Sequence, residues 1–323
     1  IMNSNCPICK RKAKIFTRLS RSDKKIELYS CLSCDFIFSE NDMSKSLMNN
    51  KLDETRLKNA GMEIPSIKED YNNGSFQSKT FYEKFINKDE NNLDILEIGS
   101  SWGYFLNVCR ERGHHPIGIE INKVRKDFIE NNLKIKCFYD INSLPNDNVK
   151  FDKIFLFYVI EYIQNPLYYL EKLVKLLKNN GEIIITTPNK NDVISDIWLI
   201  DSYKKFMIEE HVANYFSVKS TLNLCKHLKK TKFKVQTKQE YSFFNHLRWY
   251  FTNQPFTTGI VGGDKLPENI NSQIAKGPFH NNQDLDLSKK VINLISDTDK
   301  KYKKIIEDNF SGNKIVILIK KEK

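Results

Sequence analysis

Leu93-Asp94-Ile95-Leu96-Glu97-Ile98-Gly99-Ser100-Ser101-Trp102-Gly103-Tyr104-Phe105-Leu106 is the stretch that decides the fold of this 323-residue chain. Leu93, Ile95, Leu96 and Ile98 make a short, nearly continuous apolar run, the pattern of a central parallel strand buried on both faces. Gly99 and Gly103 bracket a tight turn in which backbone N–H groups can approach a ligand with no Cβ in the way. Pro116-Ile117-Gly118-Ile119-Glu120 is a second apolar strand, and it ends on an acid. An acid roughly 20 residues past a glycine turn, at the tip of the next strand, is placed to accept hydrogen bonds from ribose hydroxyls. Taken alone, the two-glycine turn also fits a plain structural strand-to-helix connection.

Glu97-x-Gly99-x-x-x-Gly103 followed by Glu120 resembles motif I and the next acidic strand end of class I S-adenosylmethionine (SAM) methyltransferases. A nicotinamide dehydrogenase more often shows G-x-G-x-x-G, whereas here Ser101 stands at the middle glycine and Glu97 lies inside the motif. An acid at that point suits the cationic amino group of SAM better than it suits a pyrophosphate. The resemblance continues downstream. Asp140-Ile141 and Leu144-Pro145 ahead of Phe151-Asp152 are similar to the segment whose acid meets the adenine amino group. The block from Phe151 through Glu161-Tyr162 and Asn165-Pro166 to Pro188-Asn189 is similar to family sequences, with Tyr162 replacing the usual histidine. Glu210-His211 ahead of Phe216-Ser217 resembles the family's Glu-His pair before a helix that starts at the serine.

The resemblance implies an α/β, Rossmann-like fold with a seven-stranded sheet in the order 3-2-1-4-5-7-6 and the last strand antiparallel. It assigns Glu97, Gly99, Ser100, Trp102, Gly103, Glu120, Ile121, Asp140, Ile141 and Tyr158 to the cofactor. The pattern of the chain gives matching expectations. Trp102 to Arg112 should be the first helix, Ile117 to Ile121 the second strand, Lys123 to Asn131 the second helix and Ile135 to Phe138 the third strand. Ile154 to Tyr162 should be the fourth strand and its exit. A helix starting at Asn165-Pro166, with apolar residues from Leu167 to Leu177 at helical spacing, should end at Asn180-Gly181, before a fifth strand from Glu182. Ser217 is a candidate N-cap. Phe233 to Tyr241 and Lys314 to Lys320 complete the sheet.

His211 falls in a loop at the C-terminal ends of the strands, where open α/β sheets build their sites. A neutral imidazole there can take a proton from an acceptor hydroxyl, and Tyr162, at the position of the family's usual histidine, is the other catalytic candidate. The alternative for His211 is a loop-fixing hydrogen bond. Between the last two strands lies an insertion of about 70 residues, too long for a plain hairpin loop. Its Asn245-His246-Leu247-Arg248-Trp249-Tyr250 and Gly262-Gly263 resemble a stretch in methyltransferases of bacterial surface-polysaccharide (capsule and LPS) clusters. Aromatics beside Asn245, His246 and Arg248 suit a polyhydroxylated acceptor, since rings cover apolar sugar faces and polar groups meet hydroxyls. A lid or dimer contact packed on Trp249 is the competing reading.

Four of the seven cysteines fall early, as Cys6-Pro7-Ile8-Cys9 and Cys31-Leu32-Ser33-Cys34. Two C-x-x-C knuckles about 20 residues apart have the spacing of a four-thiolate zinc site. So short a segment has little core of its own, so the metal would supply much of its folding energy in a structural role. Cys109, Cys137 and Cys225 are isolated and read as buried filler. The chain thus divides into a zinc ribbon at 1–40, a linker and helical cover at 41–90, a SAM-binding domain at 91–240, and an acceptor-side insertion plus final strand at 241–323. Tyr71-Asn72-Asn73-Gly74 reads as a turn within the cover.

With no signal-peptide pattern and no apolar run of membrane-spanning length, the expected location is the cytoplasm. The formal charge of +11 fits an anionic partner, or merely a Lys-rich composition with solvated faces. Three functions compete. The first is O-methylation of a sugar, nucleotide-sugar or small phosphorylated precursor, with sugar C-methylation as a close variant. The second is RNA methylation with the zinc module as a clamp. Against it, Glu161-Tyr162-Ile163-Gln164 stands where an amine-methylating N-P-P-Y would, and no C-x-x-x-H element accompanies the cysteines. The third is a non-enzymatic scaffold. The expected partner is a small-molecule or glycan acceptor rather than stably bound nucleic acid; the oligomeric state is not set by the sequence.

Overall fold

The computed structural model describes residues 3–40, 67–145, 149–253 and 282–322. β1 (Asn3–Asn5), β2 (Lys12–Leu19), β3 (Lys25–Ser30) and β4 (Ile37–Phe38) form an antiparallel meander around the two cysteine knuckles. Alternation along β3 buries Ile26 and Leu28 and exposes Lys25 and Glu27, the two-residue period of a half-covered strand.

α1 (Ile67–Phe85) comes next and corrects the expected turn: Tyr71-Asn72-Asn73-Gly74 lies inside this helix. Gly74 serves there for close approach, because a Cβ would stand 2.6 Å from the ring of Tyr104. Tyr71 in turn packs on Tyr104 at 5.3 Å. At the other end of the helix Phe81 stacks on Phe157 at 4.5 Å, seating α1 on the central sheet. Residues 41–66 of the expected connector, and Gly262-Gly263, lie outside the described residues.

Strands and helices then alternate: β5 (Asp94–Ile98), α2 (Tyr104–Glu111), β6 (His115–Ile119), α3 (Lys123–Asn132), β7 (Cys137–Phe138), β8 (Phe151–Phe157), α4 (Pro166–Leu176) and β9 (Leu177–Pro188). Short helices α5 (Val193–Asp196) and α6 (Asp201–Phe206), strand β10 (Asn214–Tyr215) and helix α7 (Val218–Lys226) follow. β11 (Thr231–Lys238), α8 (Phe243–Thr252), α9 (Asn282–Asp308) and β12 (Lys314–Lys321) close the chain. The α/β expectation with a seven-stranded mixed sheet holds. Its order is β7-β6-β5-β8-β9-β12-β11, with β12 antiparallel to both neighbours and the strands from β5 to β9 parallel. Ile95, Leu96, Ile154, Phe155, Ile183, Ile184 and Ile317 are buried, as central strands with both faces covered require.

Several expected boundaries move. The first helix starts at Tyr104 rather than Trp102, because Gly103 at φ 76° is its left-handed N-cap. β6 ends at Ile119, which puts Glu120 and Ile121 in the loop beyond it. Asn180-Gly181 does not end the helix; α4 stops at Leu176, and the pair lies within β9, which carries the extra residues of an irregularity where Phe151 pairs with Leu177 but Lys153 with Glu182. Ser217 does cap α7, as a reciprocal capping box with Ser220. Among the described residues no helix is long and apolar enough to cross a membrane.

β10 joins the two parts of the molecule. It pairs antiparallel with β4, Asn214 opposite Phe38 and Tyr215 opposite Ile37, so the cysteine module's sheet is completed by a strand from the central domain. Phe36 packs on Phe216 at 5.1 Å and Lys190 reaches Asp35 at 2.9 Å across the same seam.

Candidate active site and a four-cysteine centre

The turn after β5 is fixed by its backbone. Gly99 and Ser100 donate to the carbonyl of Ile119 at 2.8 and 3.1 Å, and Gly103 donates to Ser100 at 2.8 Å. Gly99 has φ 72°, and a Cβ on it would lie 2.4 Å from Cγ2 of Val159, so the position accepts only glycine without movement of the β8 exit. The Ser100 hydroxyl is buried and bonded to the Glu97 carbonyl at 3.1 Å, a structural task rather than a ligand contact.

Glu97 and Glu120 are the two buried acids of this cleft, 5% and 4% exposed. Oε2 of Glu97 is buried with no hydrogen-bond partner among the described residues. Burial raises the Glu97 pKa well above the carboxylate range, and the neighbouring Glu120 charge adds to the rise. An orphaned buried carboxylate is costly unless a cation or donor meets it. Glu120 is better served. Its Oε2 accepts the Ser101 N–H and its Oε1 the Asn122 N–H, both at 2.8 Å, while burial still brings its pKa up to about 7. Each carboxylate oxygen retains a second lone pair for a ligand hydroxyl. This donor set fits a ligand with a cationic amino group and a ribose.

The other expected cofactor residues divide. Asp140 is exposed, and its Oδ1 caps the following turn from Asn142 N and Ser143 N at 2.7 and 3.1 Å. Ile141 and Ile121 are half-buried beside the cleft. The Trp102 ring is buried edge-on to Phe128 at 5.3 Å, under the Arg125 guanidinium, which fixes the side chain within the turn. Tyr158 sits at the tip of β8 with φ 57°, a conformation rare for a bulky side chain. Its hydroxyl donates to Glu240 at 2.8 Å, and Glu240 pairs with Lys314. The ring is therefore directed to the β11–β12 side, away from the glycine turn.

His211 is 5% exposed and lies at the exit of β8, its ring stacked on Tyr162 at 5.8 Å between centroids. Its Nε2 is 2.6 Å from Oε2 of Glu209. The segment is laced to β8 by Ala213 N donating to the Glu161 carbonyl at 3.0 Å and by Asn214 Nδ2 donating to Ile163 O at 2.6 Å. That approach is not aligned as a hydrogen bond, and it sets a buried imidazole beside a carboxylate at the C-terminal edge of the sheet, a pair whose residue types can accept a proton.

A methyltransferase-domain family model matches residues 76–237, half of the chain. The chain belongs to this methyltransferase family. A ubiquinone biosynthesis O-methyltransferase of Pelagibacter ubique is 30% identical over 118 residues, 35% of this chain and 49% of the relative. An uncharacterized protein of Methanocaldococcus jannaschii is 26% identical over 113 residues, 34% of this chain and 48% of the relative. The chain thus spans about half the length of the curated relatives it matches. Among solved structures, a SAM-dependent methyltransferase from Archaeoglobus fulgidus superposes with TM-score 0.47 at 19% identity, covering 76% of this chain and 94% of that one. The plantazolicin methyltransferase BpumL, in complex with SAH, gives TM-score 0.45 at 15% identity, covering 87% and 95%.

In α8, which follows β11, two expected acceptor residues are corrected. His246 is fully buried, its ring nitrogens held by Gln239 Nε2 at 3.0 Å and the Tyr302 hydroxyl at 2.6 Å. Trp249 is 3% exposed and packs edge-on against Tyr203 and Phe206 at 5.3 and 5.4 Å. His246 ties α8 to α9 through Tyr302, and Trp249 packs it on α6 through Tyr203 and Phe206. Asn245 is also buried, with its Oδ1 unpartnered among the described residues, while Arg248 is exposed.

The four early cysteines come together as the spacing requires, with all Sγ atoms within 4.8 Å of one another. Cys6–Cys34 and Cys9–Cys31 are 3.6 and 3.4 Å apart, too far for disulfides. A tetrahedral zinc with Zn–S near 2.3 Å needs sulfurs about 3.8 Å apart. Lys10 and Asp35, each directly after a second cysteine, share φ 61°, so both knuckles turn the same way around one centre. The residues fit a four-thiolate metal with no open coordination position.

Sequence reading missed Glu209 and Arg21. Glu209 was within reach, two residues before His211. Arg21 carries no local signal, because its partner lies almost 190 positions away.

Proposed function

We propose that this methyltransferase is an enzyme that moves the methyl group of SAM to a hydroxyl of a small polyhydroxylated acceptor, a sugar or nucleotide sugar used in surface-polysaccharide synthesis. One observation carries the cofactor reading: the buried, unpartnered Oε2 of Glu97 directly below the glycine turn. A cationic amino group is the ligand chemistry that would satisfy it, and Glu120 stands beside it for the ribose. Asp140, exposed at the next loop, is the candidate for the adenine amino group.

When bound, SAM supplies a sulfonium methyl that is already activated, so the protein's task is alignment, exclusion of water and proton removal. His211 would take the proton of the acceptor hydroxyl, with Glu209 orienting its ring and Tyr162 lying against its face. The similarity to an O-methyltransferase supports a hydroxyl acceptor. Arg248, exposed on α8, is the residue that would meet an anionic acceptor group.

The cysteine module is read as structural: Cys6, Cys9, Cys31 and Cys34 would hold one zinc, whose role is to fold the meander that pairs with β10. Four thiols kept out of disulfides suit a reducing compartment, which supports a cytoplasmic location. The hairpin tip of the module directs Arg21 and Lys24 to Glu209 and Glu210, at 2.7 Å each. Those cations are spent within the chain, which favours a small acceptor over an RNA clamp.

The test is release of S-adenosylhomocysteine from SAM with two acceptor pools, one of nucleotide-activated sugars and small phosphorylated precursors, the other of total bacterial RNA. Release with the first pool, abolished by Glu120→Ala, is the expected result. Release with RNA alone would overturn the glycan assignment.

A further inference from the structure

We propose that Arg21, at the tip of the β2–β3 hairpin, is a positioning residue for His211 and acts through Glu209. The cysteine module thereby supplies part of the wall behind the acceptor site. The proposal rests on the reading of His211 as the acceptor-side base.

The geometry forms a three-residue line. Nη2 of Arg21 is 2.7 Å from Oε1 of Glu209, and Oε2 of the same carboxylate is 2.6 Å from Nε2 of His211. The side chains are 15%, 12% and 7% exposed, so solvent screens this line far less than a surface pair. Arg21 is itself held from three directions. Its Nε donates to the Phe206 carbonyl at 2.9 Å, its backbone N–H to Ile208 O at 2.8 Å, and its guanidinium lies 3.6 Å over the Phe206 ring. A flat fork that can bind a carboxylate, donate sideways and stack at once is a property of arginine and not of lysine.

The Glu209 carboxylate meets His211 by close approach and charge rather than through an aligned hydrogen bond, since neither Oε2 of Glu209 nor Nε2 of His211 has a hydrogen-bond partner among the described residues. Arg21 matters because it fixes that carboxylate and balances it. With Arg21 in place the Arg–Glu pair is neutral as seen from the imidazole; without it His211 faces a bare, unanchored anion. The groups around the ring are Arg21 from the hairpin, Tyr162 from the β8 exit, and Glu209 and Tyr215 from its own segment. The Tyr215 hydroxyl donates to the Glu209 carbonyl at 3.1 Å. Glu210 turns away to Lys24 and the hydroxyls of Ser20 and Ser22.

The experiment reads the ring resonances of His211 by NMR at one fixed pH in the full chain without acceptor, one of six histidines to be assigned by single replacement. Arg21→Gln keeps a stem over Phe206 and removes the charge and the fork. It should move the His211 ring resonances and leave those of the other five in place, and Arg21→Lys should restore them in part. With the pool of nucleotide-activated sugars, Arg21→Gln should lower kcat about tenfold with KM for SAM unchanged. Unmoved His211 resonances in Arg21→Gln, with SAM affinity intact, would overturn the proposal. Full activity in His211→Ala would instead remove the base reading, while the ring resonances still decide whether Arg21 positions the imidazole.

Discussion

The backbone N–H of Ser101 donates to Oε2 of Glu120 at 2.8 Å, so the acid at the end of β6 holds the glycine turn of β5 in place. The same carboxylate takes the Asn122 N–H that opens α3. Shaping the turn and facing the ligand are therefore one residue's work. Glu120→Ala removes both hydrogen bonds to a charged acceptor, and calorimetry should show SAM affinity reduced about 100-fold or more. Glu120→Gln keeps one acceptor oxygen and should fall between that variant and wild type.

Glu97 couples stability to affinity with opposite signs. Its folded pKa is raised, first by burial and then by Glu120, above the value it would have unfolded. The folded state thus holds that proton more tightly, and ionisation costs stability as pH rises through the folded value. Glu97→Gln should raise the Tm of the ligand-free protein at pH 8 more than at pH 5, by about 2 °C per kcal/mol of buried charge removed. The same change should weaken SAM binding, since the cationic partner is lost. In the wild type, affinity for SAM should improve as pH passes through about 7, where Glu120 ionises. Scanning fluorimetry and calorimetry across pH check both signs.

How much of this was legible in the sequence depends on how local the signal is. That Glu97, Gly99, Gly103 and Glu120 gather at one cleft is legible because one turn and one strand tip carry them, and that the four cysteines converge is legible from their spacing. The surroundings of Trp102 are not legible: in the same turn, Gly103 at φ 76° starts the helix late and the Trp102 ring packs on Phe128. His246 and Trp249 look like sugar-binding residues in a list of types, yet they bury against Tyr302 and Tyr203, which lie dozens of residues distant. Aromatics beside polar residues signal a binding face and a polar-lined core equally well. The pairing of β4 with β10 has no sequence signature, since each strand is two residues long.

The correction at α8 separates two variants cleanly. Trp249 is an interior side chain touching Tyr203 and Phe206, so Trp249→Ala should cost about 3–5 kcal/mol of stability through the cavity it leaves. Arg248, exposed on the helix one position before it, should change Tm far less when replaced by Ala. If Arg248 meets an anionic acceptor, the same variant raises the acceptor KM and leaves kcat near wild type. Denaturant melts and steady-state kinetics on the two variants distinguish packing from recognition.

Metal removal should act at a distance and in one direction. The knuckles fix β4, β4 fixes β10 by pairing, and Ser39 N donates to the Ala213 carbonyl at 2.8 Å beside His211. The glycine turn, by contrast, is held by Ile119 and Glu120 within the central sheet. Stripping the four-thiolate centre with a chelator should therefore speed amide exchange in residues 209–216 and leave that of 95–103 unchanged. SAM affinity should stay within about twofold, while turnover falls because His211 loses its backing. Elemental analysis before treatment should give about one zinc per chain. Exchange that rises equally in both segments would mean the centre stabilises the whole chain rather than the acceptor wall.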